Sequence, residues 1–162
     1  MNVNIQRLKG FTLVEMMVVV AIIGILAMVA IPSSLGRIVT EQVKAALPLV
    51  DVAKQPIAAA WKATKLLPKD NAEAGLPQAD KIVSNFATSV LVEDGAIHMT
   101  LGNKAHPKLK DKIISFRPAV IDDAQIVPME WVCGNAKAPD KMTVRGVNKT
   151  NVPEEYLPLI CR

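Results

Sequence analysis

A run of apolar residues near the N-terminus constrains this chain more than any other feature. From Phe11 to Ile31, only Thr12 and Glu15 interrupt the apolar sequence. As an α-helix, this run would be roughly 31 Å long, close to the thickness of the hydrocarbon core of a bilayer. Such a helix bonds its backbone polar groups internally, so it can lie in lipid. The sequence therefore predicts a membrane-inserted helix over residues 11–31.

Glu15 is the anomaly in this run, because a carboxylate inside an apolar segment is costly unless it gains a partner. A cation would become available if the chain were cut between Gly10 and Phe11, since the new α-amino group is positively charged near neutral pH. The residues before that junction include Arg7 and Lys9 and no acid, which favours a cytoplasmic location for the N-terminus.

The residues around this junction also carry a resemblance to a known family. The segment Leu8-Lys9-Gly10-Phe11-Thr12-Leu13-Val14-Glu15, with an apolar run that ends at Pro32, resembles the class III signal of type IV prepilins. The resemblance implies that a dedicated peptidase removes the leader 1–10 after Gly10 and methylates Phe11. It implies that Phe11, Thr12 and Glu15 serve assembly, with Glu15 neutralising a neighbouring subunit's N-terminus. In that family, a proline at the position of Pro32 accompanies a helix break within the filament.

Two simpler interpretations explain less of this segment. An ordinary secretory signal has a short apolar region and then an A-x-A-like site, but this run is too long and its alanines never form that pattern. A plain membrane anchor fits the length and the basic flank. It leaves Glu15 and the Gly10–Phe11 junction unexplained.

The helical pattern continues beyond the apolar run. Apolar residues recur at three- and four-residue spacing as far as Trp61, which predicts an amphipathic helix over 32–66. A continuous helix over 11–66 would be roughly 84 Å long, far more than a globular domain needs. Half of it must therefore be covered by lipid or by neighbouring helices. Kinks or local breaks are expected at three prolines: Pro32, Pro48 and Pro56.

Residues 67–162 are predicted to form a globular head with an antiparallel sheet. The period changes to two at 89–92 and 96–101, which flank Glu93-Asp94-Gly95 and predict a hairpin. The other strand segments are 81–86 (a strand or a turn), 113–117 (stopped by Pro118 and resuming at 119–121) and 130–133. The predicted fold is α+β, with the sheet packed on the long helix and with Trp61 and Trp131 as buried anchors.

The two cysteines, Cys133 and Cys161, suit an exported protein that can form one disulfide, and two unpaired buried thiols are the alternative. A bridge would enclose residues 134–160, which contain little apolar sequence, and would stabilise the fold by roughly 3–4 kcal/mol. This ending resembles the disulfide-bounded C-terminal loop of type IVa major pilins. In that family the loop lies on the filament surface and contributes to subunit contacts and adhesion.

Enzymatic, metal-binding and cofactor-binding functions have little support in the sequence. His98 and His106 are the only histidines, neither has the i, i+4 partner of a helical zinc site, and no glycine-rich phosphate loop is present. Asp122-Asp123 is typical of a solvated turn, and the sequon at Asn148-Lys149-Thr150 is a short match of the kind that arises by accident. We expect no catalytic residue, no metal and no cofactor.

Basic residues cluster between the second and third predicted strands. This run comprises Lys104, His106, Lys108, Lys110 and Lys112, followed by Arg117. It could make weak, salt-sensitive contact with DNA, but acids lie nearby and no aromatic residue accompanies the lysines, so a solvated loop is favoured. Removing the leader takes away Arg7 and Lys9, so the formal charge falls from +4 to +2.

The sequence and the resemblance together predict a structural subunit of type IV pili, a filament that serves adhesion, twitching motility and DNA uptake. The predicted partners are identical subunits, the prepilin peptidase and methylase, and inner-membrane assembly machinery. A host surface or DNA could be contacted by the fibre. The precursor would lie in the inner membrane and the mature subunit in an extracellular filament. The alternatives are a pseudopilin of type II secretion, a DNA-binding minor pilin, and an anchored protein unrelated to filaments.

Overall fold

The computed structural model describes residues 10–124 and 126–162, and the side chains of residues 29–34 also lie outside this description. The chain divides into two compact units, one that ends at Leu35 and one that spans Gly36–Arg162. Of the predicted leader 1–10, only Gly10 belongs to the described part.

Helical structure occupies most of the N-terminal sequence. Helix α1 spans Leu13–Ala46, a 3-10 turn spans Leu47–Val50, and helix α2 spans Asp51–Thr64. Helical structure thus runs from Leu13 to Thr64 without a gap, and the 3-10 turn lies where a local break was expected, at Pro48. The turn between the two helices begins with Leu47-Pro48, and a proline has no N–H for an α-helical hydrogen bond.

The other two prolines do not interrupt the helices of the single chain. Helix α2 continues through Pro56 and ends at Thr64, and the next residue, Lys65, adopts a left-handed conformation with φ of 59°. The backbone of α1 is helical at position 32. The predicted break at Pro32 concerns the assembled filament and stays a prediction.

Five antiparallel strands form the sheet. They are β1 (Ala87–Glu93), β2 (Ala96–Leu101), β3 (Ile113–Val120), β4 (Glu130–Cys133) and β5 (Thr143–Val144). Strands β1 to β4 lie in sequential order, and β5 also pairs with β3. The predicted hairpin is confirmed: Asp94 and Gly95 join β1 and β2 with φ values of 48° and 80°. Two consecutive positive φ angles give the turn a twist that matches the flanking strands.

Residues 81–86, predicted to be a strand or a turn, form no strand: Lys81 ends a 3-10 turn, Ala79–Lys81, and bends follow it. Two other details of the predicted sheet are wrong. The short strand β5 was missed. Strand β3 does not stop at Pro118. Along one edge, β3 pairs with β2 as far as Phe116 and with β5 from Ala119, so Pro118 lies in the gap between these two partners. The missing N–H of Pro118 therefore removes no ladder hydrogen bond at that edge.

One hydrophobic core joins the second half of the helical segment to the sheet. The helices contribute fully buried residues at helical spacing, including Val39, Val43, Ala46, Val50, Ala53 and Ile57. The sheet contributes alternating residues, including Val90, Val92, Ile97, Met99, Ile114 and Phe116. Trp61 and Trp131 were predicted to be buried anchors, but both are partly exposed. Trp131 packs against the edge of this core.

Candidate functional site

Thr12 and Glu15 form a reciprocal cap at the start of α1. The backbone N–H and the hydroxyl of Thr12 each donate to Oε2 of Glu15, both at 2.8 Å. The backbone N–H of Glu15 donates in return to Oγ1 of Thr12 at 3.3 Å. This capping box satisfies donors that the first helical turn leaves free. Two of the three residues that the resemblance assigned to assembly are thus in direct contact.

The Glu15 carboxylate keeps one oxygen available. Both bonds from Thr12 end on Oε2, and within residues 10–124 and 126–162 no hydrogen bond reaches Oε1. The side chain is exposed at the surface of α1. The carboxylate can therefore accept a further donor, such as an ammonium group, without losing its helix-capping role.

The predicted cleavage junction lies outside the helix. Gly10, Phe11 and Thr12 precede the first helical residue, and the side chain of Phe11 is 77% exposed. A Cβ atom built at Gly10 would meet no atom within 4 Å. The Gly10–Phe11 bond is thus accessible and free of regular structure, as a peptidase requires.

The first part of α1 exposes apolar side chains around its whole circumference. Its large hydrophobic residues between Leu13 and Met28 are 42–79% exposed. A contiguous apolar surface of this kind marks an interaction with a protein or a membrane. Among the helices as far as the structure describes them, none combines the length and the hydropathy that a membrane crossing needs.

The two cysteines form a disulfide at the end of the sheet. The Cα atoms of Cys133 and Cys161 are 4.5 Å apart, and both residues are buried. Next to the bridge, Gly134 has φ of +54°, and a Cβ there would lie 2.6 Å from the carbonyl oxygen of Cys161. The backbone N–H of Asn135 donates to that same oxygen at 2.9 Å. The chain end is thereby fixed to the end of β4.

Within the loop closed by this disulfide, residues 145–151 form a strap across the outer face of the sheet. The strap is bonded to β3 at both ends: Arg145 N–H donates to Pro118 O at 2.8 Å, and Asn151 N–H donates to Ile113 O at 3.0 Å. In the middle, Ser115 N–H donates to Thr150 Oγ1 at 3.0 Å. The strap therefore depends on hydrogen bonds to β3.

His98 and Ser115 lie buried beneath the strap. Nδ1 of His98 is 2.9 Å from Oγ of Ser115, which also accepts the backbone N–H of Lys149 at 2.8 Å. The Ser115 hydroxyl can either donate to Nδ1 or accept from it, according to the tautomer of the imidazole. Burial, with the Lys149 charge nearby, lowers the pKa of His98. His98 is 3% exposed, in agreement with a structural role.

This buried pair was missed by the sequence reasoning, although a signal was present. Ser115 lies between Ile114 and Phe116, and His98 lies between Ile97 and Met99. A polar residue on the same face of two neighbouring strands indicates either an exposed face or a covering segment. The segment that covers His98 and Ser115 is the strap, which lies at least 30 residues after Ser115 in the sequence. The local pattern of the strands therefore cannot distinguish an exposed face from a covered one.

The predicted basic run is not one free cationic strip. The ammonium group of Lys108 donates to the Tyr156 hydroxyl at 2.7 Å, and this hydrogen bond raises the pKa of Lys108. The guanidinium of Arg117 donates to the Gly134 carbonyl at 3.0 Å. His106 is partly buried, and its backbone N–H donates to the Gln42 side chain at 2.7 Å. Two of the cations are thus committed within the head.

The remaining polar candidates have structural contacts. Asp122 pairs with Arg145 at 2.8 Å, and the side-chain amide nitrogen of Asn148 donates to Gly134 O and to Asn135 Oδ1, both at 3.0 Å. In the described part of the chain, no group of three or more histidine, cysteine or acidic residues is placed to hold a metal ion.

Comparison with known proteins decides the family. Residues 41–162 match the family model for pilin, described as a bacterial filament protein, and residues 6–31 match the prokaryotic N-terminal methylation motif. The chain belongs to the pilin family. The methylation motif contains the Gly10–Phe11 junction, the Thr12–Glu15 cap and most of the exposed apolar helix. The pilin match contains the sheet, the strap and the disulfide.

Relatives of similar length have names that agree with this assignment. The chain is 31% identical to the type IV major pilin protein PilE of Neisseria gonorrhoeae, over 95% of this chain and 93% of the relative. It is 29% identical to a fimbrial protein of Neisseria meningitidis serogroup A, over 95% and 94% of the two chains. It is 31% identical to a fimbrial protein of Moraxella nonliquefaciens, over 93% and 94%. The predicted pilin fold is confirmed.

Proposed function

We propose that this pilin is the repeating structural subunit of a type IV pilus and that assembly depends on its N-terminal helix. The observation that carries the proposal is the apolar surface of α1 from Leu13 to Met28, which is exposed in the part of the chain that the structure describes. In the precursor, lipid of the inner membrane covers this surface over residues 11–31. In the fibre, the same surface is covered by α1 helices of neighbouring subunits.

The N-terminal chemistry follows from the cap geometry. Cleavage after Gly10 by a prepilin peptidase leaves a positively charged amine on Phe11, and N-methylation preserves that charge. Oε1 of Glu15 then accepts this amine from a neighbouring subunit, while Oε2 stays bonded to Thr12; the two bonds from Thr12 to Oε2 support this division of roles. The resulting ion pair offsets the desolvation of both charges and fixes the axial position of each incoming subunit.

The fibre places the head at its surface, where adhesion and other contacts outside the cell occur. The relatives are named as a type IV major pilin and as a fimbrial protein. They support a structural role in an extracellular filament, with motors and assembly machinery supplied by other proteins.

The test is the intact mass of the main protein in sheared surface fibres, measured without reduction. The expected mass begins at Phe11, with one added methyl group and with two hydrogens missing for the disulfide. A protein that stays in the membrane fraction and is absent from fibres would contradict the proposal. A cut at Gly10 would then favour a pseudopilin, and an uncut chain would favour a plain anchor.

A further inference from the structure

Strand β1 forms one edge of the sheet and is long for an edge strand. It has seven residues, whereas β4 at the opposite edge has four. An edge strand presents backbone N–H and C=O groups that can pair with a strand of another molecule, and a short edge limits such pairing. The edge that needs protection is therefore β1.

The sequence of β1 favours pairing between copies of this chain. Residues 87–92, Ala-Thr-Ser-Val-Leu-Val, contain no charge, no proline and no glycine, and three of the six are β-branched. This composition is typical of segments that stack as strands of identical molecules. The charged residue of the strand, Glu93, stands at its end. A free β1 edge would therefore attract β1 of a second copy.

The side chain of Asn71 lies against this edge in place of a neighbouring strand. Its Nδ2 donates to Val90 O at 3.0 Å, and its Oδ1 accepts the N–H of Val92 at 2.7 Å. Strand β2 pairs with the other side of β1, so the amide makes the backbone bonds that one residue of an added strand would make. Nδ2 also donates to Pro77 O at 2.9 Å, and Asn71 is buried.

The turn that carries Asn71 is fixed by its own hydrogen bonds. Oδ1 of Asp70 accepts the N–H of Glu73, and Oε2 of Glu73 accepts the N–H of Lys69, both at 2.8 Å. The turn is also bonded to the end of the hairpin, where the N–H of Asp94 donates to Lys69 O at 3.1 Å. We call residues 68–77 the edge cover, because they hold the Asn71 amide against β1.

A second asparagine closes the start of β1. Nδ2 of Asn103 donates to Ser84 O at 2.7 Å and to Ala87 O at 2.9 Å. The N–H of Ser84 donates to the same oxygen of Ala87 at 2.9 Å. The first carbonyl group of β1 is therefore occupied as well, again by residues that belong to no strand.

We propose that Asn71 and the edge cover prevent copies of this chain from pairing through β1. The excluded partner is a second β1, which has the same uncharged sequence. This inference goes beyond the proposed function, because it concerns a contact between heads that the chain avoids. In a fibre, identical heads lie close together, and the covered edge leaves association to the apolar surface of α1.

Asn71→Ala in the full-length protein tests this role. The substitution frees Val90 O and Val92 N–H, and two copies that pair there regain backbone hydrogen bonds. The expected result is an increase of at least about tenfold in dimers and larger species. Sedimentation velocity in detergent measures these species. Asn85→Ala, at an exposed asparagine before β1, is the matched control and should behave as the wild-type protein does. An unchanged distribution of species with Asn71→Ala would overturn the proposal.

A second substitution separates edge pairing from association caused by lost stability. Leu91 is 42% exposed, and Leu91→Lys places a charge on the edge strand, where like charges of two copies oppose pairing. Asn71→Ala combined with Leu91→Lys should recover the wild-type distribution of species, while its free energy of unfolding stays below the wild-type value. Association that persists in the double variant would show general unfolding and would contradict the proposal.

The variant Asn71→Ser covers the case in which Asn71→Ala does not unfold cooperatively. Its hydroxyl is too short to hold both strand groups, so a folded Asn71→Ser chain should also associate more than the wild-type protein. A folded chain that stays as dispersed as the wild type, or failure of both variants to fold, would assign Asn71 to folding alone. All these measurements use the purified chain, so absence of the protein from fibres contradicts only the proposed function.

Discussion

At the scale of single residues, the Thr12–Glu15 cap is compatible with the assembly role proposed for Glu15. One oxygen of the Glu15 carboxylate is occupied by Thr12, and the other is open. The same residue therefore stabilises the first turn of α1 in the monomer and is available to a partner. Removing the carboxylate affects both roles, whereas removing the Thr12 side chain affects mainly the first.

We expect Glu15→Ala to abolish assembly without unfolding the head. Breaking a buried ion pair by removing one partner costs about 3–5 kcal/mol, which corresponds to a decrease in fibre yield of at least about 100-fold. The variant protein should accumulate in the membrane fraction, as measured by immunoblot after shearing. Thr12→Ala is the control, with a loss of only about 1 kcal/mol from the helix cap. Normal fibres from the Glu15 variant would contradict the proposed role.

The buried His98 predicts a pH dependence of stability. Its pKa is lowered in the folded state, mainly by burial, so the unfolded chain binds a proton more readily than the folded chain does. The stabilisation from neutral His98 is complete above its unfolded pKa, near 6.5, and is lost as pH falls from there toward the folded pKa. The charged groups that face this ring are Glu93 and Lys149.

Urea unfolding between pH 7.5 and 5 measures this effect. The free energy of unfolding should decrease with acidification, and hydrogen exchange at Lys149 and Ser115 should accelerate because protonation disturbs the bonds beneath the strap. His98→Asn cannot titrate in this range and should have a flatter pH profile. If the free energy of unfolding changes with pH equally in the wild-type protein and in His98→Asn, groups other than His98 control the pH dependence.

At the scale of elements, the C-terminal loop shows how a segment without much apolar sequence becomes ordered. Its strap is bonded to β3, and its last turn is bonded to β4 through the disulfide. The loop buries Val152, Tyr156 and Leu157, which join the main core. Order in this region depends on contacts with residues 20 or more positions earlier.

Replacing both cysteines with serine should destabilise the head by roughly 3–4 kcal/mol, because the bridge restricts the unfolded chain. The measurement is thermal or denaturant unfolding of the double variant against the wild-type protein without reductant. Wild-type protein under reducing conditions is the control and should lose a similar amount. The strap should exchange its amide hydrogens faster than β2 does. A negligible change in stability would indicate that hydrogen bonds alone order the loop.

At the scale of the whole molecule, burial is divided unevenly along the chain. All the buried hydrophobic residues that the structure describes lie between Val39 and Cys161. They belong to the unit Gly36–Arg162. The first part of α1 is exposed and apolar, and it needs a membrane or other subunits as cover.

We therefore expect residues 36–162 to fold without the preceding helix. This fragment should be soluble, should unfold cooperatively and should retain the Cys133–Cys161 bridge, as measured by circular dichroism and intact mass. It should be monomeric, since the apolar surface of α1 is missing. The full mature chain in detergent is the control and should form larger assemblies when the detergent is removed. A fragment without cooperative unfolding would show that the first part of α1 contributes to the fold of the head.

The sequence by itself predicted those features that depend on local pattern. Apolar composition and helical period identified the helices, and alternation with a positive-φ turn at Asp94–Gly95 identified the first hairpin. The cleavage junction Gly10–Phe11 and the role of Glu15 were inferred because a charged residue in an apolar segment requires a reason, and both stay predictions. The family followed from the same residues.

Tertiary structure decided what depends on distant partners. Strand β3 continues through Pro118 because this residue lies after the pairing with β2 ends and before the pairing with β5 begins, so no neighbouring strand needs a backbone N–H at that position. Tertiary structure added β5, which is too short to have a pattern, and it placed the strap over His98 and Ser115. It left both tryptophans partly exposed. Local pattern specifies a residue's own conformation, but burial depends on what the rest of the chain brings to it.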